Sequence, residues 1–237
     1  MAKHLKEDPM AVRPVFVVSS DDNCFVQKNV QFEFFSGFSE TQKQKSISSL
    51  HNSFLSKHSN MKILEISSKS QNPLGINLSA FNLMIENNNG NKFSVESAFQ
   101  ASKVFELGGP YRDLLSVSSK EAKKDIRLRN SGKLIAFKIS GKTFKITPKT
   151  LFYNWLYINA LNMHEDLTKQ IIEYDAFTDI EFNPNRSINC QARAAAIFVS
   201  LYRKGVLHEA LKDIDSFERI VYPKQDYETI GEQLSFL

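Results

Sequence analysis

Three polar side chains of different chemistry recur at helical spacing near the middle of the chain. Glu96, Gln100 and Lys103 are separated by four and three residues, so on a helix they would fall within about 60° of one another. Glu96 and Lys103 would lie about 10 Å apart along the axis, too far for the usual ion pair between residues four apart. The pattern predicts either a cleft wall with an acid, an amide and an amine, or an ordinary amphipathic helix with a solvated edge.

The segment around these residues resembles the signature of the NADAR family. In that family an "SNF" strand motif precedes a helix that reads approximately S-x-E-x-x-F-Q-x-x-K-F. Residues 78–81 of this chain read LSAF, with Ala80 where the family usually has Asn, and residues 94–105 hold a nearly complete helix motif. The similarity spans residues 76–203. The chain is most similar to the branch that accompanies DNA-modifying ADP-ribosyltransferase toxins.

The resemblance implies an ADP-ribosyl glycohydrolase that acts as an antitoxin. Such an enzyme would cleave the N-glycosidic bond between ADP-ribose and a nucleobase, with guanine in ADP-ribosylated DNA as the expected target. ADP-ribose would be the product, and a cognate toxin the functional partner. Two alternatives remain: an N-glycosidase for phosphorylated ribosylamine intermediates of riboflavin synthesis, and a non-catalytic ADP-ribose-binding module. No cofactor is expected, and the five histidines lack metal-ligand spacing, so no metal is predicted.

The resemblance assigns the motif acid to Glu96 and places Gln100 beside the substrate. Cleavage of the bond between C1″ and nitrogen develops positive charge on the ribose, which a carboxylate stabilises directly or by activating water. Lys103 fits two roles. It could exchange into an opened ribosylimine as a Schiff base, which requires a lowered pKa, or it could bind phosphate.

A second polar set lies on the connection before an apolar helix. Either Asp179 or Glu181 could supply a second catalytic acid, because the chain departs from the family's D-x-x-W-G pattern and reads NPNR over residues 183–186. A helix start offers unpaired backbone N–H groups to an anion, although residues here could simply cap the helix. The expected substrate contacts in this region are Asn183, Arg186, Asn189 and Gln191.

Further substrate contacts are predicted outside these two segments. Lys69, within the serine-rich residues 67–70, could meet a phosphate or belong to a surface loop. The resemblance makes Ser79 and Asn82 expected pocket-wall residues. Trp155 lies in an aromatic helix and would either stack on a ligand or fill the core. The basic residues between positions 120 and 133 predict a solvated helix face or a track for DNA phosphates.

Composition favours a folded protein of the reducing cytoplasm. The 237 residues are 42% hydrophobic and 24% charged, with a net charge of +4, which is compatible with a nucleic-acid partner but does not require one. No apolar run is long enough to span a bilayer, and residues 1–9 do not resemble a secretory signal. Cys24 and Cys190 do not indicate an extracellular disulfide framework.

The pattern of apolar residues predicts a single helix-rich α+β domain with a small β component. The domain would cover residues 10–237, with an N-terminal extension over 10–75. Residues 1–9 would be a non-native or disordered segment if Met10 is the true start. Helices are predicted over 39–58, from Ser94 to a stop at Gly108, and over 118–129, 148–161, 164–174 and 187–202. Strands are predicted over 12–18, 31–35, 63–66, 78–81, 134–140 and 143–146.

Overall fold

A computed structural model describes residues 9–21 and 23–222, and the predictions for residues 1–8 and 223–237 lie outside this part of the chain. The strands are β1 (Met10–Val18), β2 (Phe25–Glu33), β3 (Ile63–Glu65), β4 (Met84–Glu86), β5 (Lys92–Ser94), β6 (Lys103–Phe105), β7 (Leu134–Ile139), β8 (Lys142–Phe144) and β9 (Ala176–Thr178). The helices are α1 (Glu40–Leu55), α2 (Pro73–Asn77), α3 (Val95–Ala101), α4 (Ser119–Lys124), α5 (Arg127–Asn130), α6 (Leu151–Asn162), α7 (Glu165–Ile171), α8 (Gln191–Arg203), α9 (Leu207–Leu211) and α10 (Ile214–Val221), with a 3₁₀ helix at Arg112–Ser116. The predicted α+β class is confirmed.

The largest described sheet has the strand order β2-β1-β9-β3. β1 is antiparallel to both β2 and β9, whereas β3 runs parallel to β9. In this register Glu65 of β3 is paired with Thr178, the last residue of β9. The residue that follows β9 therefore leaves the sheet beside the end of β3, which places Asp179 near Glu65.

The core is built around α3, α6 and α8. All seven residues of α3 are buried, including its polar ones. α6 is buried at nine of its twelve positions and α8 at ten of its thirteen, as expected for helices that are apolar on most sides. Because α3 is buried, Glu96 and Gln100 lie within the protein interior and not on a solvated helix edge.

No helix in the described ranges is long and apolar enough to cross a membrane.

The helix predicted to run from Ser94 to Gly108 is much shorter than expected. α3 ends at Ala101, and Lys103 already belongs to β6, where it pairs with Phe137 of β7. Val104 and Phe105 favour a strand, and the ladder with β7 supplies hydrogen bonds that a longer helix would have to give up. Lys103 is therefore not on the same helix as Glu96, which corrects the predicted stripe.

Other predicted boundaries also require correction. Residues 78–81 form a turn after α2 and not a strand, because their backbone closes short-range hydrogen bonds such as Asn82 N–H to Ser79 O. The single helix predicted over 118–129 is divided into α4 and α5 at Asp125, whose backbone is not helical. α8 begins at Gln191 and not at residue 187. The hairpin of β7 and β8 is confirmed.

Candidate active site

The first turn of α3 is fixed from two directions. Ser94 caps the helix, its Oγ accepting a hydrogen bond from the Ser97 backbone N–H at 3.0 Å. The backbone N–H of Glu96 donates to the carbonyl oxygen of Ala80 in the 78–81 turn at 2.8 Å. A backbone hydrogen bond thus joins the 78–81 turn to α3, and the turn sets the position of the Glu96 side chain.

Glu96, Gln100 and Lys103 form a linear hydrogen-bonded chain. The Gln100 Nε2 donates to Glu96 Oε1 at 2.9 Å, and Lys103 Nζ donates to Gln100 Oε1 at 2.7 Å. Both polar atoms of the Gln100 amide are therefore used, and the two side chains of α3 are each only 6% exposed. Sequence reasoning predicted that these three side chains lie together, and hydrogen bonds join them, although Lys103 reaches the other two from a strand.

Lys103 occupies an unusual environment for an amine. Burial lowers its pKa, and nearby Lys123 lowers it further, while Glu96 acts in the opposite direction. Its Nζ lies 4.7 Å from the centre of the Phe99 ring, and Lys123 Nζ lies 5.1 Å from that of Phe81. A lysine with a lowered pKa has a larger neutral fraction, which suits a nucleophile. In its charged form, Lys103 together with Lys123 suits an anionic ligand.

Asp179 is a half-buried acid at the end of β9. Its Oδ1 accepts hydrogen bonds from the backbone N–H groups of Glu181 and Phe182 at 3.0 and 3.2 Å, and its Oδ2 has no partner among the described residues. Burial, followed by repulsion from Glu65, raises the pKa of Asp179 well above its usual value. An acid whose pKa is raised by burial and by a neighbouring carboxylate is typical of functional sites.

Glu65 binds the two residues that flank Asp179 in the sequence, Thr178 and Ile180. It is 2% exposed, and its carboxylate accepts from Thr178 Oγ1 at 2.6 Å and from the Ile180 N–H at 2.8 Å. His51 Nε2 contacts the same Thr178 oxygen at 2.8 Å, and burial lowers the pKa of His51 to about 4. Because Thr178 donates its proton to Glu65, the neutral His51 must donate to Thr178.

Sequence reasoning did not place His51 or Thr178 in this cluster. The signal in Glu65 was visible, since a carboxylate among β-type residues needs partners when it is buried. The partners lie 113 residues away for Thr178 and on α1 for His51, so only the fold identifies them. Their role here is to hold the end of β9, and hence Asp179, in place.

Tyr153 of α6 packs against α3 and was not predicted as a site residue. It is 6% exposed, and its ring meets the Phe99 ring edge-on with centroids 5.2 Å apart. Burial raises the pKa of Tyr153 well above its usual value, with further contributions from Glu96 and then Asp179. The contact with Phe99 places the Tyr153 ring against α3, the helix that carries Glu96.

Glu181, the alternative second acid, is placed differently. Its side chain is exposed and pairs with Lys43 at 3.2 Å. The arrangement around Glu96 therefore favours Asp179 over Glu181 as the acid inside the site. Lys69 is half-buried in the loop after β3, where its backbone N–H donates to Ser67 Oγ at 3.2 Å.

Several predicted contact residues hold the backbone in the structure. The Ser79 hydroxyl and the Asn82 amide both donate to the carbonyl oxygen of Ile76, at 2.8 and 2.9 Å. Gln191 accepts from the Ala80 N–H at 2.7 Å and donates to the Ile66 carbonyl oxygen at 2.6 Å. The Gln191 side chain thus ties the 78–81 turn to the end of β3, across the start of α8.

The other predicted residues near α8 are less engaged. Asn183 accepts from the Asn185 N–H at 3.0 Å, and Arg186 is exposed and forms no side-chain contact with a described residue. The Asn189 Oδ1 is enclosed without a partner among the described residues. Neither Ser187 nor Asn189 caps the helix, because the N-cap residue is Cys190, which makes no side-chain capping bond.

Trp155 lies apart from the acids on the aromatic side of α6. It is half-buried, with its ring centre 5.0 Å from that of Phe144 and 6.5 Å from that of Phe152. Its indole N–H is enclosed without a partner in the described ranges. These contacts fit the interpretation of Trp155 as a core residue better than that of a ligand-stacking residue.

Comparison with known proteins identifies a family for this chain. Residues 11–230 match a family whose description is DarT1-associated NADAR antitoxin. A search of curated proteins finds no significant match. The family match covers both segments that build the site, the one around Glu96 and the one around Asp179.

Proposed function

This chain belongs to the DarT1-associated NADAR antitoxin family, and from that premise we propose that it is an ADP-ribosyl glycohydrolase. Family membership makes it an antitoxin associated with a DarT1 toxin. The proposed reaction hydrolyses the N-glycosidic bond between ADP-ribose and a nucleobase, and guanine in DNA is the proposed target. The toxin is then a functional partner that creates the substrate, and the antitoxin restores the unmodified base and releases ADP-ribose.

The observation that carries this proposal is the hydrogen bonding of the two Glu96 carboxylate oxygens. One oxygen is fixed by Gln100 at 2.9 Å, and the other has no partner among the described residues. A buried carboxylate with one oxygen held by a hydrogen bond and the other oxygen without a described partner is suited to stabilise a developing cation. Its charge acts at low dielectric, and its position does not have to change during the reaction. The ribose C1″ carries such a charge as the bond to nitrogen breaks.

Two features define what the neighbours of Glu96 contribute. Asp179 keeps one oxygen without a partner among the described residues, and burial raises its pKa, which suits a general acid or base. Lys103 has a lowered pKa, which supports attack of its neutral amine on C1″ of an opened ribosylimine. In that step the new C–N bond forms as the base nitrogen leaves with a proton, and water later hydrolyses the lysine imine.

The test begins with turnover. The protein is incubated with DNA carrying ADP-ribosylated guanine, thymine or adenine, and the released sugar nucleotide and restored base are measured by mass spectrometry. We expect release of ADP-ribose from guanine-modified DNA. Release from phosphorylated ribosylamines instead would favour the riboflavin-type alternative, and binding without release from any substrate would favour a non-catalytic module.

Glu96→Gln tests the role of the carboxylate. The substituted amide can still accept the hydrogen bond from Gln100 but carries no charge, so we expect turnover to fall by about 10²-fold or more with little change in melting temperature. Glu86→Gln is the matched control, because Glu86 is an exposed acid of β4 paired with Lys92 at 3.2 Å. Normal turnover of folded Glu96→Gln would contradict the proposed mechanism.

A further inference from the structure

The Tyr153 ring is held firmly inside the site. Its edge-on contact with Phe99 is on one side, and its stacked neighbour Tyr157 lies on the same helix with ring centres 6.4 Å apart. Only 6% of the residue is exposed. A ring packed between two others has little rotational freedom, so the direction of its hydroxyl group is set by the fold.

The Tyr153 hydroxyl nevertheless has no hydrogen-bond partner among the described residues. Buried tyrosine hydroxyls usually find one, and Tyr157 does, donating to the Leu78 carbonyl oxygen at 2.7 Å. The Tyr153 oxygen is also not one of the fully enclosed, unpartnered polar atoms of the described chain. Part of the surface of the Tyr153 oxygen is therefore accessible to a group of the size of water.

Three groups of the candidate site have complementary hydrogen-bonding capacity. Tyr153 stays a neutral donor, because burial and the two nearby carboxylates raise its pKa. Glu96 and Asp179 each retain one oxygen without a described partner. One neutral donor packed against the helix of Glu96, together with two carboxylate acceptors, matches a polyol, whose hydroxyls donate to carboxylates and whose oxygens accept from a phenol.

We propose that the Tyr153 hydroxyl binds the ribose attached to the base, donating to a ribose oxygen while Glu96 and Asp179 accept from ribose hydroxyls. This inference rests on the proposed function for the identity of the ligand, but it concerns recognition and not bond cleavage. Tyr153 thereby distinguishes a nucleoside diphosphate that carries the second ribose from one that lacks it.

Calorimetry with ADP-ribose and ADP tests the proposal in the absence of turnover. The wild-type protein should bind ADP-ribose more tightly than ADP. Tyr153→Phe should reduce this preference by about 3–10-fold, the effect of one neutral hydrogen bond, and leave the affinity for ADP unchanged. Its melting temperature should not fall, because no described protein hydrogen bond is lost.

Tyr157→Phe is the matched control for a buried phenol. It removes the bond to Leu78, so it should lower the melting temperature and keep the preference for ADP-ribose. In turnover assays, Tyr153→Phe should raise KM more than it lowers kcat, since the contact exists before the bond breaks.

The outcomes separate this inference from the proposed function. A wild-type protein that binds ADP and ADP-ribose equally, or a Tyr153→Phe protein with an unchanged preference, overturns the ribose contact. A preference that depends on Tyr153 in a protein that hydrolyses nothing would keep the contact and refute the glycohydrolase proposal. Turnover with no effect of Tyr153 on either ligand would do the reverse.

Discussion

Asp179→Asn should weaken the enzyme and strengthen the fold. The substituted amide oxygen can still accept from the backbone N–H groups of Glu181 and Phe182, which now lie 3.0 and 3.2 Å from Asp179 Oδ1. The negative charge beside Glu65 is lost, along with the ability to bind or release a proton. Local geometry is therefore retained while the electrostatics change.

The sign of the stability change depends on pH. The folded pKa of Asp179 is raised, so the folded state holds a proton that the unfolded chain has already released. Stability contributed by the protonated acid is complete below the ordinary aspartate pKa and is lost as pH rises towards the folded pKa. An asparagine has no proton to lose, so the substitution should stabilise the fold at pH 8 and have little effect at pH 4.

The expected gain at pH 8 is about 0.5–2 kcal/mol, the usual range for a single stabilising substitution. For a chain of this length, each kcal/mol raises the melting temperature by about 2–4 °C. Turnover should fall by about 10²-fold, as for loss of a general acid or base. Thermal unfolding at pH 4 and 8 measures the first effect, and ADP-ribose release measures the second.

Asp21→Asn serves as the control, because Asp21 is exposed and should change neither quantity. The reasoning fails if Asp179→Asn lowers the melting temperature at pH 8 as much as at pH 4. Such a result would mean that the ionised carboxylate stabilises the folded protein. Full activity in the same variant would remove Asp179 from the mechanism.

Two further substitutions address the amine and the support of the site. Lys103→Arg should abolish turnover and any adduct trapped by borohydride on this residue, since a guanidinium is never a neutral nucleophile at working pH; substantial activity would instead assign Lys103 to phosphate binding. Gln191→Ala should lower the free energy of unfolding in a denaturant titration by about 2–5 kcal/mol, because it leaves the buried Ala80 N–H and Ile66 C=O unpaired. Gln170→Ala, which removes an exposed bond to the Asp166 carbonyl oxygen, should change it by less than about 0.5 kcal/mol; equal losses in both variants would show that Gln191 does not tie the turn to the sheet.

Local sequence patterns could predict those parts of the site that depend on local geometry. Glu96 and Gln100 are one helical turn apart, so their contact follows from helix geometry alone. Ser94 was already part of the quoted motif, and its capping role is a short-range property. Lys103 was assigned to the right site through the wrong element, since the competition between helix α3 and the β6 ladder depends on Phe137, which lies distant in sequence.

The parts that were missed depend on long-range pairing. Asp179 could not be separated from Glu181, because only the parallel pairing of β3 with β9 turns one towards the interior and leaves the other paired with Lys43. Tyr153 could not be separated from the other aromatic residues of α6. Nearly every position of that helix is buried, so periodicity does not reveal which ring reaches a cleft.

The two hydrogen bonds by which Gln191 joins Ala80 to Ile66 also have a consequence for protein synthesis. Glu96 leaves the ribosome 95 residues before the side chain that secures its supporting turn, an interval of about 5–20 s at a rate of about 5–20 residues per second. During this interval the nascent chain carries the motif acid without the tie between Ala80 and Ile66. A message that is cut or stalled between codons 179 and 191 would therefore direct synthesis of a polypeptide with both acids but without the bonds from Gln191 to Ala80 and Ile66.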